Sequence, residues 1–174
     1  MGIGWPHRIS RPSRGPFREE EGEAMRFLLE NHSFRTAECG QFVDMTDDVK
    51  DVVGRSDVQN GMALVYSPHT TCAVLINERE SGFIEDFGQL MESLVPLSGE
   101  YRHDDLGART ENLEDDPHEV PNGHAHCRQA LLGSSSQTIP IVNGELLLGR
   151  WQRVFFLELD RARDRKVLIQ VMGE

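Results

Sequence analysis

The alternation of apolar and polar residues divides the first half of the chain into short strands and a helix. Residues 25–37 mix apolar and polar positions, which indicates an edge strand that ends near a glycine. Residues 46–56 open with acidic residues and carry valines at helical spacing, so they predict a short helix capped by Thr46. Residues 62–66 and 71–76 are short apolar, β-branched runs, and we expect a strand in each.

Two further helices are predicted later in the chain. Residues 81–95 give the clearest signal, because Ser81 can cap the start of the helix and Pro96 ends it. Residues 124–132 predict a short helix, and Gly133 suits the left-handed position just past its end. The apolar residues of the helix over 81–95 fall on one stripe and are expected in the core: they are Phe83, Ile84, Phe87, Leu90, Met91 and Leu94.

The C-terminal third carries the pattern of an antiparallel sheet. Residues 137–142 and 145–159 flank Asn143-Gly144, which is the strongest short signal for a β-hairpin. Residues 166–172 alternate between apolar and polar positions and predict a last strand. Trp151 falls within the second arm of the hairpin, where we expect its side chain to pack in the core.

Composition limits the classes of function. The chain of 174 residues suits a single domain over residues 25–174. Residues 1–24 are rich in Gly, Pro, Arg and Glu without periodicity, so we expect a flexible N-terminal extension. The formal net charge of −11 argues against nucleic acid or an anionic membrane as the partner, because both are negative themselves.

The cysteines and the lack of long apolar runs indicate a cytoplasmic location. Cys39, Cys72 and Cys127 are an odd number at wide spacing, which suits neither a disulfide framework nor a zinc ribbon. No apolar run approaches the roughly 18 residues that span a bilayer. Cys72 opens a predicted strand, where a buried and inert thiol is the expected state.

Three histidines stand in short polar motifs that suit metal binding or proton transfer. His69 is followed by Thr70 in a turn between two predicted strands, where it is expected to act as a ligand or base. A structural histidine bonded to the backbone is the alternative there. His103 precedes Asp104 on a long acidic loop, and His126 lies in the predicted helix over 124–132.

Each of the other motif residues has a possible structural role as well as a possible functional one. His103-Asp104 is either a solvated charged turn or a pair that orients a ring and holds a divalent ion. His124 and His126 point to different sides of a helix, so only one of them is expected in a site, and His126 is favoured. Asn77 and Glu78 end a strand, where Glu78 is a candidate partner for a histidine.

Several of these motifs follow the order and spacing of a known family. They are Pro68-His69-Thr70-Thr71, Asn77-Glu78, His103-Asp104, Asn122-Gly123-His124-Ala125-His126, Leu131-Leu132-Gly133-Ser134, Gly149-Arg150-Trp151-Gln152 and Met172-Gly173-Glu174. Residues 25–174 thus resemble the YjbQ family, also described as secondary thiamine-phosphate synthase. The resemblance implies an α+β fold, with antiparallel strands in two packed sheets and two main helices, that assembles as a homotrimer. Threonine is usual in the family at the position of Arg150.

The resemblance also implies a reaction that joins a hydroxymethylpyrimidine diphosphate to a thiazole phosphate and releases pyrophosphate. A divalent metal, Mg²⁺ or Zn²⁺, is expected to neutralise the leaving group of this small phosphorylated substrate. The alternatives are a metal-dependent phosphate-ester hydrolase and a non-catalytic trimer that binds a metal or small ligand. The expected residues are His69, His126 and Glu78 for catalysis, Thr70, Asn77, Asn122, Arg150 and Gln152 for substrate binding, and His103, Asp104 and His126 for the metal.

Overall fold

Two antiparallel β-sheets and three α-helices make up the fold in the computed structural model, which describes residues 24–113 and 119–174. Residues 1–23 of the predicted N-terminal extension lie outside the described residues. A short 3₁₀ helix covers Arg102–Asp104. The other elements are β1 (Arg26–Arg35), β2 (Phe42–Asp44), α1 (Thr46–Ser56), β3 (Asn60–Tyr66), β4 (Cys72–Glu78), α2 (Ser81–Leu94), α3 (Gly123–Leu132), β5 (Ser136–Val142), β6 (Glu145–Leu146), β7 (Gln152–Glu158) and β8 (Asp164–Gly173).

The larger sheet has five strands in the order β1-β8-β3-β5-β6, and the smaller has three in the order β2-β7-β4. All strand pairs are antiparallel. β1 pairs along its whole length with β8, and no second described strand pairs with it, so the predicted edge strand is confirmed. The α+β class with two antiparallel sheets is also confirmed, with α3 as a third helix beside α1 and α2.

The main core lies between the two sheets and helix α1. β8 alternates strictly, so that Val167, Ile169 and Val171 are buried while the residues between them are not. α1 buries Val49 and Val52 at helical spacing against the same cluster. Burial of each such side chain contributes roughly 1.5–3 kcal/mol, which makes this cluster the largest favourable contribution to the fold.

The predicted strand over residues 145–159 is wrong, because the chain changes sheets within it. β6 pairs with β5 in the larger sheet, whereas β7 pairs with β2 and β4 in the smaller one. A turn separates β6 from β7, and in it the backbone N–H of Gln152 donates to the carbonyl of Gly149 at 2.9 Å. Trp151 lies in this turn with 61% of its surface exposed, so its predicted packing role is also wrong. The hairpin turn itself is confirmed, since Asn143 and Gly144 have φ of 53° and 76°.

Helix α2 is less buried than its apolar stripe predicts. Met91 is buried, but Leu90 and Leu94 are 51% and 57% exposed. Phe87 is partly buried and packs edge-on against Phe42 of β2, with ring centroids 5.6 Å apart. A stripe shows which side of a helix is apolar, not whether another element covers all of it.

The predicted caps of α1 and α2 are both wrong. The hydroxyl of Thr46 donates to Asp44 at 2.7 Å and accepts from the backbone N–H of Val154 at 2.9 Å, so it links α1 to β7 instead of capping the helix. Glu80, not Ser81, caps α2, because its carboxylate accepts the N–H groups of the first turn. Gly133 adopts the predicted left-handed conformation after α3.

Within the described residues, no helix has both the length and the apolar character needed to cross a membrane.

Candidate functional site

One pocket collects the three histidines that the sequence singles out. It has a volume of about 410 Å³ and lies where the segment before β4, the 3₁₀ helix, the start of α3 and the β7–β8 connection meet. His69, His103 and His126 reach it from the first three of these, and Thr70 also lines it. The predicted convergence of distant imidazoles is therefore confirmed.

His126 contacts His103 and is held in its neutral form. The two rings meet edge to face, with centroids 4.4 Å apart. Burial lowers the pKa of His126, and the neighbouring His103 lowers it further. The ring nitrogens of His126 have no hydrogen-bond partner among the described residues. His126 therefore offers the pocket a lone pair near neutral pH.

The tautomer of His103 is fixed by Asn122, which is buried. The side-chain amide N–H of Asn122 faces the Asp160 carboxylate at 3.4 Å, which sets the orientation of the amide. Its carbonyl oxygen then accepts from His103 Nε2 at 3.0 Å. Arg109 Nη1 also lies 3.4 Å from Nε2, but two N–H groups cannot bond each other, so this is a contact only. His103 thus carries hydrogen on Nε2, and Asn122 positions it. Asn122 also lines the pocket, so its predicted contact with substrate stays a prediction.

The tautomer of His69 is fixed by the backbone. The N–H of Lys166 donates to His69 Nε2 at 2.9 Å, so this nitrogen is unprotonated and the hydrogen sits on Nδ1. Burial and the nearby Arg165 lower the pKa of His69, which agrees with a neutral ring. With its lone pair already used, His69 is a hydrogen-bond donor, not the metal ligand or base that the sequence favours.

Asp104 is engaged by the start of helix α3. One of its carboxylate oxygens accepts the backbone N–H groups of Asn122 and Gly123, each at 2.8 Å. The carboxylate therefore satisfies N–H groups that the helix leaves unpaired, and these amides are not free for a phosphate. Among residues 24–113 and 119–174, no three His, Cys, Asp or Glu side chains form a group that suits a metal ion. The residues predicted to hold a metal, His103, Asp104 and His126, do not fit that role in this arrangement.

Three arginines missed by sequence reasoning also line the pocket: Arg109, Arg163 and Arg165. Arg109 lies 3.7 Å from the Glu119 carboxylate, and Arg163 lies 2.8 Å from Asp160. Guanidinium groups bind phosphate and carboxylate oxygens, so their presence favours an anionic ligand. A signal was available, since Arg163 and Arg165 stand two residues apart and share one side of an extended chain.

Comparisons with known proteins show the family to which the chain belongs. The family model described as "UPF0047 protein YjbQ-like" matches residues 30–174. The chain belongs to the YjbQ family. A UPF0047 protein of Archaeoglobus fulgidus is 39% identical over 80% of this chain and 98% of its own length. One from Methanothermobacter thermautotrophicus is 35% identical over 88% of this chain and 97% of its own.

Solved structures carry the YjbQ fold as well. The crystal structure of a YbjQ-like protein of unknown function from Sulfolobus solfataricus P2 superposes with a TM-score of 0.72 at 31% identity, covering 87% of this chain and all of that one. A hypothetical protein from Aeropyrum pernix K1 superposes with a TM-score of 0.67 at 36% identity, covering 83% of this chain and 99% of that one.

Asn77 and Glu78 lie away from the histidine pocket of this YjbQ chain. His69 comes just before β4, whereas Glu78 is the last residue of that strand. A strand rises about 3.3 Å per residue, so six steps from Cys72 place Glu78 about 20 Å from the pocket end. Glu78 is therefore not a partner of His69 within one subunit, and the predicted catalytic role is corrected. Asn77 precedes Glu78 in β4 and is also far from the pocket, so its predicted contact with a substrate in that pocket is not made within one subunit.

Arg150 and Gln152 line a different cavity. Gln152 pairs with Glu78 across β7 and β4, at the end of the smaller sheet opposite to the histidine pocket. Both residues border a cavity of about 520 Å³ that has no lining residue in common with that pocket. Their predicted contact with a substrate held by the histidines is therefore not made within one subunit.

A buried ion pair lies directly beneath the histidine pocket. Glu158, which is fully buried, accepts from Arg165 Nε at 2.7 Å and from the Thr36 hydroxyl at 2.9 Å. Arg165 in turn donates to the hydroxyl of Thr71 at 3.1 Å. Burial, reinforced by Glu158, raises the pKa of Cys72 to about 12, so its thiol is inert as predicted.

His124 makes the fold sensitive to acid. It is buried in α3 with no hydrogen-bond partner for Nε2 in the described residues, and burial lowers its pKa. The unfolded chain takes up protons at the ordinary histidine pKa near 6.5, and the buried ring only at lower pH. The stability contributed by the neutral ring is therefore complete above about pH 6.5 and is lost as pH falls below it.

We expect urea unfolding to show a smaller loss of stability between about pH 7.5 and about pH 5.5 in His124→Leu than in the unsubstituted protein. His69 and His126 also have lowered pKa values, so His124→Leu should still lose some stability as the pH falls. An equal loss in both proteins would contradict this role of His124.

Proposed function

We propose that the histidine pocket binds a phosphorylated small molecule and catalyses the formation of thiamine phosphate from a hydroxymethylpyrimidine diphosphate and a thiazole phosphate. The observation that carries the proposal is the convergence of three imidazoles and the Arg109 and Arg163 guanidinium groups on one cavity of about 410 Å³. A volume in this range suits a small ligand, and such donors suit its phosphate oxygens. The family resemblance supplies the identity of the substrates.

This reaction requires the protein to position the two substrates and to stabilise the charge on the leaving group. The bond between the pyrimidine methylene carbon and the diphosphate oxygen breaks, and the diphosphate keeps the electron pair. The thiazole nitrogen then donates its lone pair to that carbon, and no proton transfer is needed for the exchange. Donors fixed before the reaction stabilise the charge that develops on the leaving group. In this proposal those donors are His69 Nδ1–H and the N–H groups of Arg109 and Arg163 other than the ones that face Glu119 and Asp160.

The two remaining histidines are suited to the organic part of the substrate. His126 is neutral and offers a lone pair, and His103 offers one on Nδ1 when it is neutral, because its Nε2 hydrogen is committed to Asn122. Lone pairs of this kind accept from an amino group such as the one on the pyrimidine ring. We therefore assign His126 and His103 to orienting the pyrimidine beside the leaving group.

The same neutral His126 favours one alternative, a phosphate-ester hydrolase. A base with a free lone pair in an arginine-lined pocket can activate water for attack on phosphorus. We propose that both activities, the synthase and the hydrolase, require Mg²⁺ or Zn²⁺. In the synthase reaction the metal would enter the pocket bound to the diphosphate of the substrate. A trimer that only binds its ligand is the third possibility.

The test is an assay of purified protein with both synthetic precursors, without added metal and with Mg²⁺ or Zn²⁺. The proposal predicts thiamine phosphate and pyrophosphate in equal amounts, and little of either in His126→Asn. His32→Asn is the matched control, because His32 lies on β1 outside the pocket. Inorganic phosphate without thiamine phosphate would favour the hydrolase, and no turnover with retained pyrophosphate binding would favour the binding protein.

We also propose a homotrimer in the cytoplasm, as the resemblance implies, assembled through the outer face of the larger sheet. Phe27, Leu29, Met62 and Tyr66 are exposed there. The strand register places Phe27 and Met62 on either side of Met172, which makes the apolar area continuous. An exposed apolar face of this kind is typical of a contact with another chain.

Light scattering after size-exclusion chromatography checks the assembly. We expect the mass of a trimer for the unsubstituted protein and of a monomer for Phe27→Asp/Met62→Asp, because carboxylates do not tolerate burial in an apolar contact. Leu90→Asp, on the exposed side of α2, is the control and should leave the mass unchanged. A monomeric parent protein, or a double variant that is still trimeric, would rule out this interface.

A further inference from the structure

A second cavity, separate from the histidine pocket, lies between helix α1 and the segment that joins β6 to β7. Its volume of about 520 Å³ is in the range of small-molecule sites. Part of its lining is apolar and belongs to or packs on the main core: Val53, Leu146 and Leu148. The rest is polar and includes Lys50, Arg150 and Gln152.

Lys50 and Arg150 bring positive charge to this cavity without an acidic partner in the described part of the chain. Arg153 also lines the cavity, and its Nε lies 2.8 Å from the Asp44 carboxylate, whereas Lys50 and Arg150 have no such pair among the described residues. The Arg150 guanidinium instead lies over the Trp151 ring, with Cζ 4.6 Å from the ring centroid. Stacking of this kind fixes the direction of the guanidinium and leaves its N–H groups available.

The turn that carries Arg150 is closed by two hydrogen bonds. The N–H of Gly149 donates to the side-chain carbonyl of Gln152 at 2.7 Å, and the N–H of Gln152 donates to the carbonyl of Gly149 at 2.9 Å. The side-chain N–H₂ of Gln152 has no acceptor among the described residues. The turn therefore offers donors in positions set before binding, which lowers the entropy cost of holding a ligand.

We propose that this cavity binds a phosphate monoester of an apolar group, at a site distinct from the histidine pocket. Lys50, Arg150 and the Gln152 amide bind the phosphate oxygens, while Leu146 and Leu148 contact the apolar group. In a chain with a net charge of −11, two cations without partners in one cavity are a local exception that selects for an anion. Glu145 also lines the cavity and opposes the bound charge.

Trp151 provides a local signal for testing the site. The chain has two tryptophans, so a Trp5→Phe background leaves Trp151 as the single reporter. Phenyl phosphate is expected to change its fluorescence in a saturable manner. Lys50→Gln and Arg150→Gln should each weaken binding about tenfold, since each removes a charge-assisted contact. Glu145→Gln should strengthen binding, because the opposing charge is gone.

Two control variants establish that the fluorescence change arises from this cavity. Arg35→Gln removes an exposed arginine on β1 that does not line the cavity, and it should bind phenyl phosphate like the parent. His126→Asn should also bind normally at Trp151, whatever its effect in the histidine pocket. The proposal is overturned if phenyl phosphate gives no saturable change, if both cation variants bind like the parent, or if His126→Asn abolishes the signal.

Discussion

His69→Gln is expected to lower kcat for thiamine phosphate formation by about 10²–10³-fold, the effect of removing one preorganised donor to a developing negative charge. The glutamine carbonyl can replace Nε2 as acceptor of the Lys166 N–H, but nothing replaces the Nδ1–H that the proposal assigns to the ligand. His69→Asn is the matched variant, because its amide N–H₂ occupies the position of Nδ1. We expect it to retain more activity than His69→Gln.

Steady-state kinetics of the two variants decide whether His69 acts as donor or base. If His69 acts as a donor, kcat should fall in the order parent, His69→Asn, His69→Gln. If His69 acts as a base, both substitutions should lower kcat by the same factor. Equal activity of His69→Gln and the parent would remove His69 from the mechanism. Because a donor to the leaving group acts on kcat under saturating substrate, a rise in KM alone also contradicts this role.

Glu158→Ala is expected to lower the free energy of unfolding by about 3–5 kcal/mol, because it leaves the Arg165 charge buried without a partner. Glu158 is fully buried and accepts from Arg165, Thr36 and the backbone of Asp160. Arg165 is itself buried and lines the histidine pocket, so binding of pyrophosphate should weaken together with stability.

Chemical denaturation measures this loss, with Asp164→Ala as the control. Asp164 also pairs with an arginine, Arg35, at 3.1 Å, but both side chains are exposed and solvent screens the pair. No measurable change is expected in that variant. If Glu158→Ala were as stable as Asp164→Ala, the ion pair beneath the pocket would not support the site.

The sequence predicts well those elements whose signal is local. The alternation of β8 and the turn at Asn143-Gly144 appear as expected, because each depends only on the period of the side chains and on residues that tolerate positive φ. The three-residue strand β2 was missed, because its position depends on β7 as a partner and not on its own sequence. The exposure of α2 was missed because the sequence of a helix does not show which parts of its apolar side another element covers.

The site follows the same division. His69, His103 and His126 were found because each stands in a distinctive motif, and the fold brings them to one pocket. Glu78 was misplaced because the strand between it and His69 is extended, so residues that are close in sequence lie far apart in space. The tautomers of His69 and His103 depend on Lys166 and Asn122, which are contacts that no spacing in the sequence reveals.

The central claim is that His69, His103 and His126 line one pocket that binds an anion, and histidine side-chain NMR during titration with pyrophosphate tests it most directly. Nitrogen and proton spectra report the tautomer of each ring as well as its contact with a ligand. We predict hydrogen on Nδ1 of His69 and on Nε2 of His103, and shifts of all three rings that saturate at the same pyrophosphate concentration. Three rings that respond separately or not at all, or a His69 with its hydrogen on Nε2, would contradict it.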